Sequence, residues 1–139
     1  MDRVVQLIDE IPGLQKTSRV VEVACNDGAF LRLLAQNGYK NLLGIEPAND
    51  AREAAKESGL DIVQGYFSRE TAEGVRADSG QCELLIARHV LEHVADLDEF
   101  ASAMKVLLSP GSHIVFEVPN AGHILDSLDY TAIWEEHVN

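Results

Sequence analysis

Five short apolar segments alternate with segments of helical periodicity along this chain. They lie at 19–24, 41–46, 61–65, 82–87 and 112–118, and they are rich in Val, Ile and Leu. Within each segment, apolar and polar residues show little alternation, which is typical of strands that are covered on both faces. The pattern therefore predicts an α/β domain with a doubly wound, Rossmann-like, mostly parallel sheet.

The segments between the strands carry the start and stop signals of helices. Glycine or a serine-proline-glycine sequence ends them, and polar residues with capping-box spacing begin them. The signals are Gly38 after 28–38, the pairs Asp50/Glu53 and Asp96/Glu99, Ser68 before a weaker helix, and 109–111 after the last helix. An amphipathic segment at 2–10 predicts a further, leading helix.

The loop after the first strand carries only one glycine, Gly28, and an acid, Asp27, just before it. Gly28 allows the backbone to pass close to a ligand. Asp27 disfavours a phosphate and favours a cation or an ammonium group. Glu46 ends the second strand, where a carboxylate can accept both hydroxyls of a ribose. The spacing thus predicts a nucleoside with a zwitterionic tail, which is the chemistry of S-adenosylmethionine.

Charge excludes some partners. The net charge is −12 with only 11 Lys and Arg residues, so we expect neither nucleic acid nor an anionic membrane as a partner. No apolar run approaches the roughly 20 residues of a membrane helix. Cys25 and Cys82 form no metal-binding pattern, and free thiols indicate the cytoplasm.

Four motifs occur in a characteristic order: EVACNDG at 22–28, GIEPA at 44–48, ARHVLEHVADLDEF at 87–100 and FEVPN at 116–120. This set resembles the successive signatures of class I S-adenosylmethionine-dependent methyltransferases. The CNDG loop, together with IEPA and a C-terminal Glu-Glu-His, resembles a narrower group, the C-methyltransferases that act on nucleotide-linked keto-deoxysugars. The resemblance extends along essentially the whole chain.

The resemblance implies a set of cofactor-binding residues. The loop after the first strand would hold the methionine side, Glu46 the ribose, and the residues after the second and third strands the adenine. Two residues at the fourth strand would close over the cofactor. The full set is Glu22, Ala24, Cys25, Asn26, Asp27, Gly28, Glu46, Pro47, Tyr66, Phe67, Arg88 and His89.

The resemblance also implies a base for carbon methylation. A proton next to the sugar ketone must leave to give an enolate, and histidine titrates in the appropriate range. In the family a Tyr-His-Glu-His stretch contributes to this step, and here the stretch reads Trp134-Glu135-Glu136-His137. We expect His137 to act as the base, oriented by Glu136, with His93 binding or polarising the sugar.

Other functions stay open at this point. The His-Val-Leu-Glu-His-Val motif also resembles small-molecule O- or N-methyltransferases of quinone and related methylation, and a non-catalytic fragment that binds S-adenosylmethionine is a third possibility. A nicotinamide dehydrogenase is disfavoured because G-x-G-x-x-G is missing. A metal at His89 and His93 is disfavoured because no third ligand is evident.

The organisation predicted for the chain is one domain, 1–139, lacking the last strands of a methyltransferase sheet. The fifth strand would then form an exposed edge, which is a liability in a soluble protein. We expect this edge to pair with another chain, as in a homo-oligomer, or to be covered by 120–139.

Overall fold

The computed structural model describes residues 2–120 and, beyond them, residues 122, 124 and 126. Helices and strands alternate as the sequence predicts. The elements are α1 (Asp2–Asp9), β1 (Arg19–Val23), α2 (Ala29–Gln36), β2 (Asn41–Glu46), α3 (Asn49–Glu57), β3 (Asp61–Gln64), α4 (Arg69–Ser79), β4 (Cys82–Arg88), a 3₁₀ helix (Leu91–His93), α5 (Leu97–Leu107) and β5 (Leu108–Glu117).

The five described strands form one parallel sheet in the order β3-β2-β1-β4-β5. The chain runs outward from β1 to β3 and then returns to the other side of β1 with β4. The switch point of the sheet therefore lies between β1 and β4, where ligands of such sheets bind beyond the carboxyl ends of the strands. The predicted doubly wound Rossmann-like fold is confirmed.

Two apolar layers cover the two faces of the sheet. On one face, Leu31 and Leu34 of α2 pack with Leu84 and Ile86 of β4. On the other face, residues of α4 and α5 such as Phe100 pack with the remaining positions of the same strands. Because both faces are buried, the strands lack the apolar–polar alternation of a half-exposed sheet.

Two of the predicted helix caps are present. The Ser68 hydroxyl accepts a hydrogen bond from the Thr71 N–H at 3.2 Å, and the Asp96 carboxylate accepts one from the Glu99 N–H at 2.9 Å. Each satisfies an N–H that the first helical turn leaves without a partner.

The predicted capping box of Asp50 and Glu53 is wrong. Helix α3 begins at Asn49, its N-cap is Ala48, and no side chain caps it. The reason lies in the preceding strand, because the Glu46 carboxylate already accepts a hydrogen bond from the Ala48 N–H at 2.8 Å. The helix can therefore start earlier, and Asp50 lies in its first turn, where a negative charge is favourable.

Strand β5 begins earlier than predicted, directly after α5. Its register to β4 shifts, since Cys82 is opposite Leu108 but Leu84 is opposite His113. In the described part of the chain β5 pairs only with β4, and Phe116 is 42% exposed between two other exposed apolar residues, Ile114 and Val118. The apolar edge is therefore present, and what covers it stays a prediction.

None of the helices in the described part is both long and apolar enough to cross a membrane.

Candidate active site

The loop after β1 combines three left-handed backbone positions with a single glycine. Ala24 and Asn26 have φ values of 52° and Gly28 has one of 75°. Left-handed backbone costs a non-glycine residue roughly 1 kcal/mol or more, and asparagine tolerates it better than alanine. In this loop, Ala24 and Asn26 thus adopt the left-handed backbone that glycines adopt in loops of this kind.

Hydrogen bonds hold this loop against β2. The Cys25 N–H donates to the Ile45 carbonyl at 3.2 Å, and the Asn26 N–H donates to the Glu46 carboxylate at 2.8 Å. Because the second oxygen of Glu46 accepts the Ala48 N–H, this 6% exposed side chain braces two loops. A carboxylate offers about four acceptor positions, so Glu46 retains capacity for ligand hydroxyls.

Gly28 has a packing role that the sequence did not reveal. A Cβ at this position would overlap the Leu60 side chain and press on Ala55, and the positive φ adds strain. Gly28 is absent from the described lining of the pockets below. The missing side chain of Gly28 therefore allows the start of α2 to pack closely against α3. That the backbone of Gly28 also passes close to a ligand stays a prediction.

Asp27 remains ionised in a half-exposed position. Its carboxylate pairs with Arg32 at 3.0 Å and accepts the Ala29 N–H at 3.0 Å. These interactions, the Arg32 hydrogen bond first, hold the pKa of Asp27 below its usual value. Arg32 thus serves as the counter-ion of Asp27, and the attraction of Asp27 for a bound cation stays a prediction.

A pocket of about 420 Å³ opens above this loop at the ends of β1, β2 and β4. We call it the acidic pocket because Glu22, Asp27 and Glu46 line it together with Arg88. Glu22 is 3% exposed, and its Oε2 has no hydrogen-bond partner in the described structure. Burial is the main cause that raises the pKa of Glu22 to about 8, despite Arg88 nearby.

A second pocket, of about 390 Å³, adjoins the first on the side of α4 and α5. We call it the apolar pocket because Pro47, Tyr66, Phe67 and Phe100 line it. The rings of Phe67 and Phe100 meet edge to face with their centroids 5.1 Å apart. Such a surface suits a flat aromatic ligand group.

Ala24 and His89 line both pockets and so join them. His89 also has left-handed backbone, with φ 54°, and its N–H donates to the Glu117 carbonyl at 2.8 Å. Its Nδ1 lies 3.6 Å from the buried carboxylate of Glu92. Sequence reasoning assigned no site role to Glu92 and Glu117, although both lie within the quoted motifs at 87–100 and 116–120.

His89 and His93 do not share an α-helical face. A 3₁₀ helix spans Leu91–His93, and His89 precedes it. Within the described residues no three His, Cys, Asp or Glu side chains are grouped so that they could hold a metal ion.

The predicted catalytic residues fall into two groups. His93 is exposed and lines the apolar pocket. His137 and Glu136 lie outside the described residues, so their roles stay predictions. Cys25 is no nucleophile, because burial raises the pKa of its thiol to about 12 and keeps it protonated.

The fold and the paired pockets define a class of protein. A doubly wound parallel sheet carries, at its switch point, an acid-lined pocket beside an apolar one. Acids suit a ribose and a cationic tail, whereas the phosphates of a dinucleotide would meet Asp27 and Glu46. This arrangement is the one expected of a domain that binds an adenosyl sulfonium.

Comparison with known proteins agrees with this class. The profile of the methyltransferase domain matches residues 2–139, and the chain belongs to this family. The class predicted from the motifs, a class I S-adenosylmethionine-dependent methyltransferase domain, is confirmed, and S-adenosylmethionine is its cofactor.

Individual relatives differ in their acceptors. C-methyltransferase NovU of Streptomyces niveus is 29% identical over 137 residues, which are 99% of this chain and 32% of NovU. The ubiquinone biosynthesis O-methyltransferase of Acinetobacter baylyi is 28% identical over 117 residues, covering 81% of this chain and 48% of that enzyme. This chain thus spans a third to a half of the curated relatives it matches.

The fold recurs in a solved structure. A SAM-dependent methyltransferase from Archaeoglobus fulgidus superimposes with a TM-score of 0.69 at 22% identity, over 86% of this chain and 52% of that one.

Proposed function

We propose that the chain binds S-adenosylmethionine across the two joined pockets and serves methyl transfer to a small molecule. The observation that carries this proposal is the direct contact of an acidic pocket with an apolar one, through Ala24 and His89. A ligand with an aromatic end and a cationic tail matches this division, and the buried, unpartnered Oε2 of Glu22 offers the ammonium group a hydrogen-bond acceptor.

Each part of the cofactor has its residues. Pro47, Tyr66 and Phe67 would hold the adenine, and Glu46 the ribose hydroxyls. The loop 24–28 would hold the methionine side. When bound, S-adenosylmethionine supplies a methyl group on a positively charged sulfur, which is reactive toward a nucleophile. The chain's own contribution is to orient the reactants and to exclude water.

We propose carbon methylation of a nucleotide-linked keto-deoxysugar as the reaction. The similarity to C-methyltransferase NovU over nearly the whole chain supports methylation at carbon, and the resemblance of the CNDG, IEPA and Glu-Glu-His motifs supports the sugar acceptor. His137, oriented by Glu136, would take the proton from the carbon beside the ketone, and the electron pair left there becomes the enolate nucleophile. His93, which lines the apolar pocket, would bind or polarise the sugar.

A second candidate is O- or N-methylation of a small molecule. The similarity to a ubiquinone biosynthesis O-methyltransferase over 81% of the chain favours it. A hydroxyl or amine is already a nucleophile, so this reaction needs no enolate. It should therefore be insensitive to the loss of His137.

We place this reaction in the cytoplasm, since Cys25 and Cys82 are both free thiols. The exposed edge of β5 is where we propose that a second copy adds in a homo-oligomer. Light scattering over a range of concentrations tests this partner, and a monomer at every concentration would contradict it.

Calorimetry tests the cofactor assignment first. We expect S-adenosylhomocysteine to bind this chain and NAD not to bind. The reverse result would contradict the proposed class. The control is the Glu46→Ala variant, in which the ribose acceptor is missing.

A turnover assay then tests the acceptor. The chain is incubated with S-adenosylmethionine and either a nucleotide-linked keto-deoxysugar or a catechol, and the product is identified by mass spectrometry. We expect the sugar to gain a methyl group on carbon, and His137→Ala to abolish the reaction while the matched variant His123→Ala retains it. Methylation of the catechol alone, unaffected by His137→Ala, would favour the second candidate.

A further inference from the structure

Charged side chains form a row along the carboxyl edge of the sheet. In spatial order they are Glu46 at the end of β2, Glu22 on β1, Arg88 at the end of β4 and Glu117 at the end of β5. Neighbouring strands lie about 4.8 Å apart, so Glu46 and Arg88, two strands apart, are separated by roughly 10 Å. A ribose followed by sulfur and a short carbon tail can cover such a span.

Arg88 is fixed at one end of this row. Its side chain is 12% exposed, and its guanidinium lies 4.3 Å from the centre of the Phe30 ring. Its Nε donates to Glu117 at 2.5 Å, while Nη1 lies 3.8 Å from Glu22. A guanidinium has five N–H donors, so these two contacts leave donors for a ligand.

The acidic pocket is electrostatically two-sided. Glu22, Asp27 and Glu46 line it, and among its described lining residues Arg88 is the only lysine or arginine. His89 lines the same pocket at its border with the apolar one. Oxygen acceptors of the acidic side chains therefore face a ligand from the side of β1 and β2, and a guanidinium faces it from β4. A ligand that carries both an ammonium and a carboxylate is complementary to this arrangement.

We propose that Arg88 binds the α-carboxylate of the amino-acid tail, so that the acidic pocket selects zwitterionic adenosyl ligands over those that carry an amine alone. This inference rests on the proposed binding of S-adenosylmethionine. It adds the group that is recognised and the residue that recognises it.

The environment of Arg88 leaves its charge available. Burial raises the pKa of Glu22 to about 8, so this carboxyl holds its proton at neutral pH and does not cancel the guanidinium. Asp27 is engaged by Arg32 instead. In the described structure Glu117 is thus the acid that lies nearest to the Arg88 guanidinium. A planar guanidinium on an aromatic ring is also well suited to bind a carboxylate through two parallel hydrogen bonds.

The test compares two thioethers by calorimetry on the full 139-residue chain. S-adenosylhomocysteine carries the carboxylate, and decarboxylated S-adenosylhomocysteine keeps the adenosine, the sulfur and the amine. We expect the wild type to bind the first at least about tenfold more tightly, as befits a charge-assisted hydrogen bond. In Arg88→Gln this preference should fall below about twofold. The matched control is Arg76→Gln, which removes an exposed arginine of α4 and should keep the preference.

The outcomes separate this inference from the proposed function. If Arg88→Gln retains the tenfold preference, Arg88 is not the carboxylate site, although S-adenosylhomocysteine binding stands. If the folded wild type binds neither thioether, the proposed function falls as well. Circular dichroism checks that Arg88→Gln folds. Should it not fold, Arg88→Met replaces it, because methionine fills a similar apolar volume beside Phe30 without charge or N–H donors, and an undiminished preference in that variant overturns the inference.

Discussion

The two halves of the site are built in different ways. The acidic pocket is braced by its own polar groups, since Glu46 holds two loops, Asp27 pairs with Arg32, and Arg88 pairs with Glu117. In the apolar pocket, by contrast, Tyr66 is 80% exposed and His93 is exposed as well. The comparison teaches that the charged half is preorganised, and in the proposed function it selects the ligand, whereas the apolar half supplies contact area.

The largest effect should come from the buried acid of the charged half. The folded pKa of Glu22 is about 8, above its ordinary 4.5, so the unfolded chain releases this proton more readily. The free energy of unfolding should therefore fall as pH rises from 5 to 8, by about 1 kcal/mol per pH unit and about 3 kcal/mol in total.

Glu22→Gln tests this effect, because glutamine does not titrate. Urea unfolding at pH 5, 6.5 and 8 should show a clearly shallower decline in the variant. Parallel declines in the two proteins would show that Glu22 does not cause the pH dependence. Glu57→Gln, in an exposed position on α3, is the matched control.

The loop that carries the acidic pocket offers the next test. Gly28→Ala should lower the free energy of unfolding by about 3 kcal/mol, because the new methyl overlaps Leu60 in a left-handed backbone. Ala24→Gly, two residues earlier, should change it by less than about 1 kcal/mol, since glycine accepts the same backbone without strain. Equal effects at both positions in chemical denaturation would refute the packing role of Gly28.

Glu46 should matter most for ligand binding. Glu46→Ala removes the brace on Asn26 and the acceptor for the ribose, so we expect S-adenosylhomocysteine to bind about 100-fold more weakly in calorimetry. Glu53→Ala, an exposed glutamate of α3, controls for the loss of one negative charge. A loss of less than threefold in Glu46→Ala would mean that the ribose lies elsewhere.

The apolar half should respond least. Tyr66→Ala removes an exposed ring from one wall and should weaken binding by about threefold to fivefold, for S-adenosylhomocysteine and its decarboxylated analogue alike. If Tyr66→Ala weakened the binding of one of these two ligands much more than that of the other, the apolar half would also take part in recognising the carboxylate. That result would contradict the division between the two halves.

Much of this structure could be predicted from the sequence because the relevant signals are local. A strand that is buried on both faces is rich in Val, Ile and Leu, which the sequence shows directly. The helix caps are also local, because the Ser68 and Asp96 side chains bind N–H groups only three residues away. The motifs at the strand ends also identified loops that the fold brings together. The parallel topology then brings these loops together, because the carboxyl ends of the five described strands all lie at one edge of the sheet.

What could not be predicted depends on partners distant in the sequence. The start of α3 depends on Glu46, whose carboxylate accepts the N–H of Ala48, the N-cap residue of this helix. The packing role of Gly28 depends on Leu60, and the setting of Arg88 depends on Glu117, 29 residues later. No spacing rule links such pairs, because their contact exists only once the sheet has assembled.

The order of the strands has a consequence for how enzymes of this design diversify. The residues assigned to individual groups of the methyl donor come from the first four strands and the loops that follow them, and α5 adds Glu99 and Phe100 to the wall of the apolar pocket. Within the described part of the chain, the residues assigned to the donor are thus separate from β5, the strand at the edge of the sheet. A division of this kind is compatible with one donor-binding scaffold in relatives named for C-methylation and for O-methylation in ubiquinone biosynthesis.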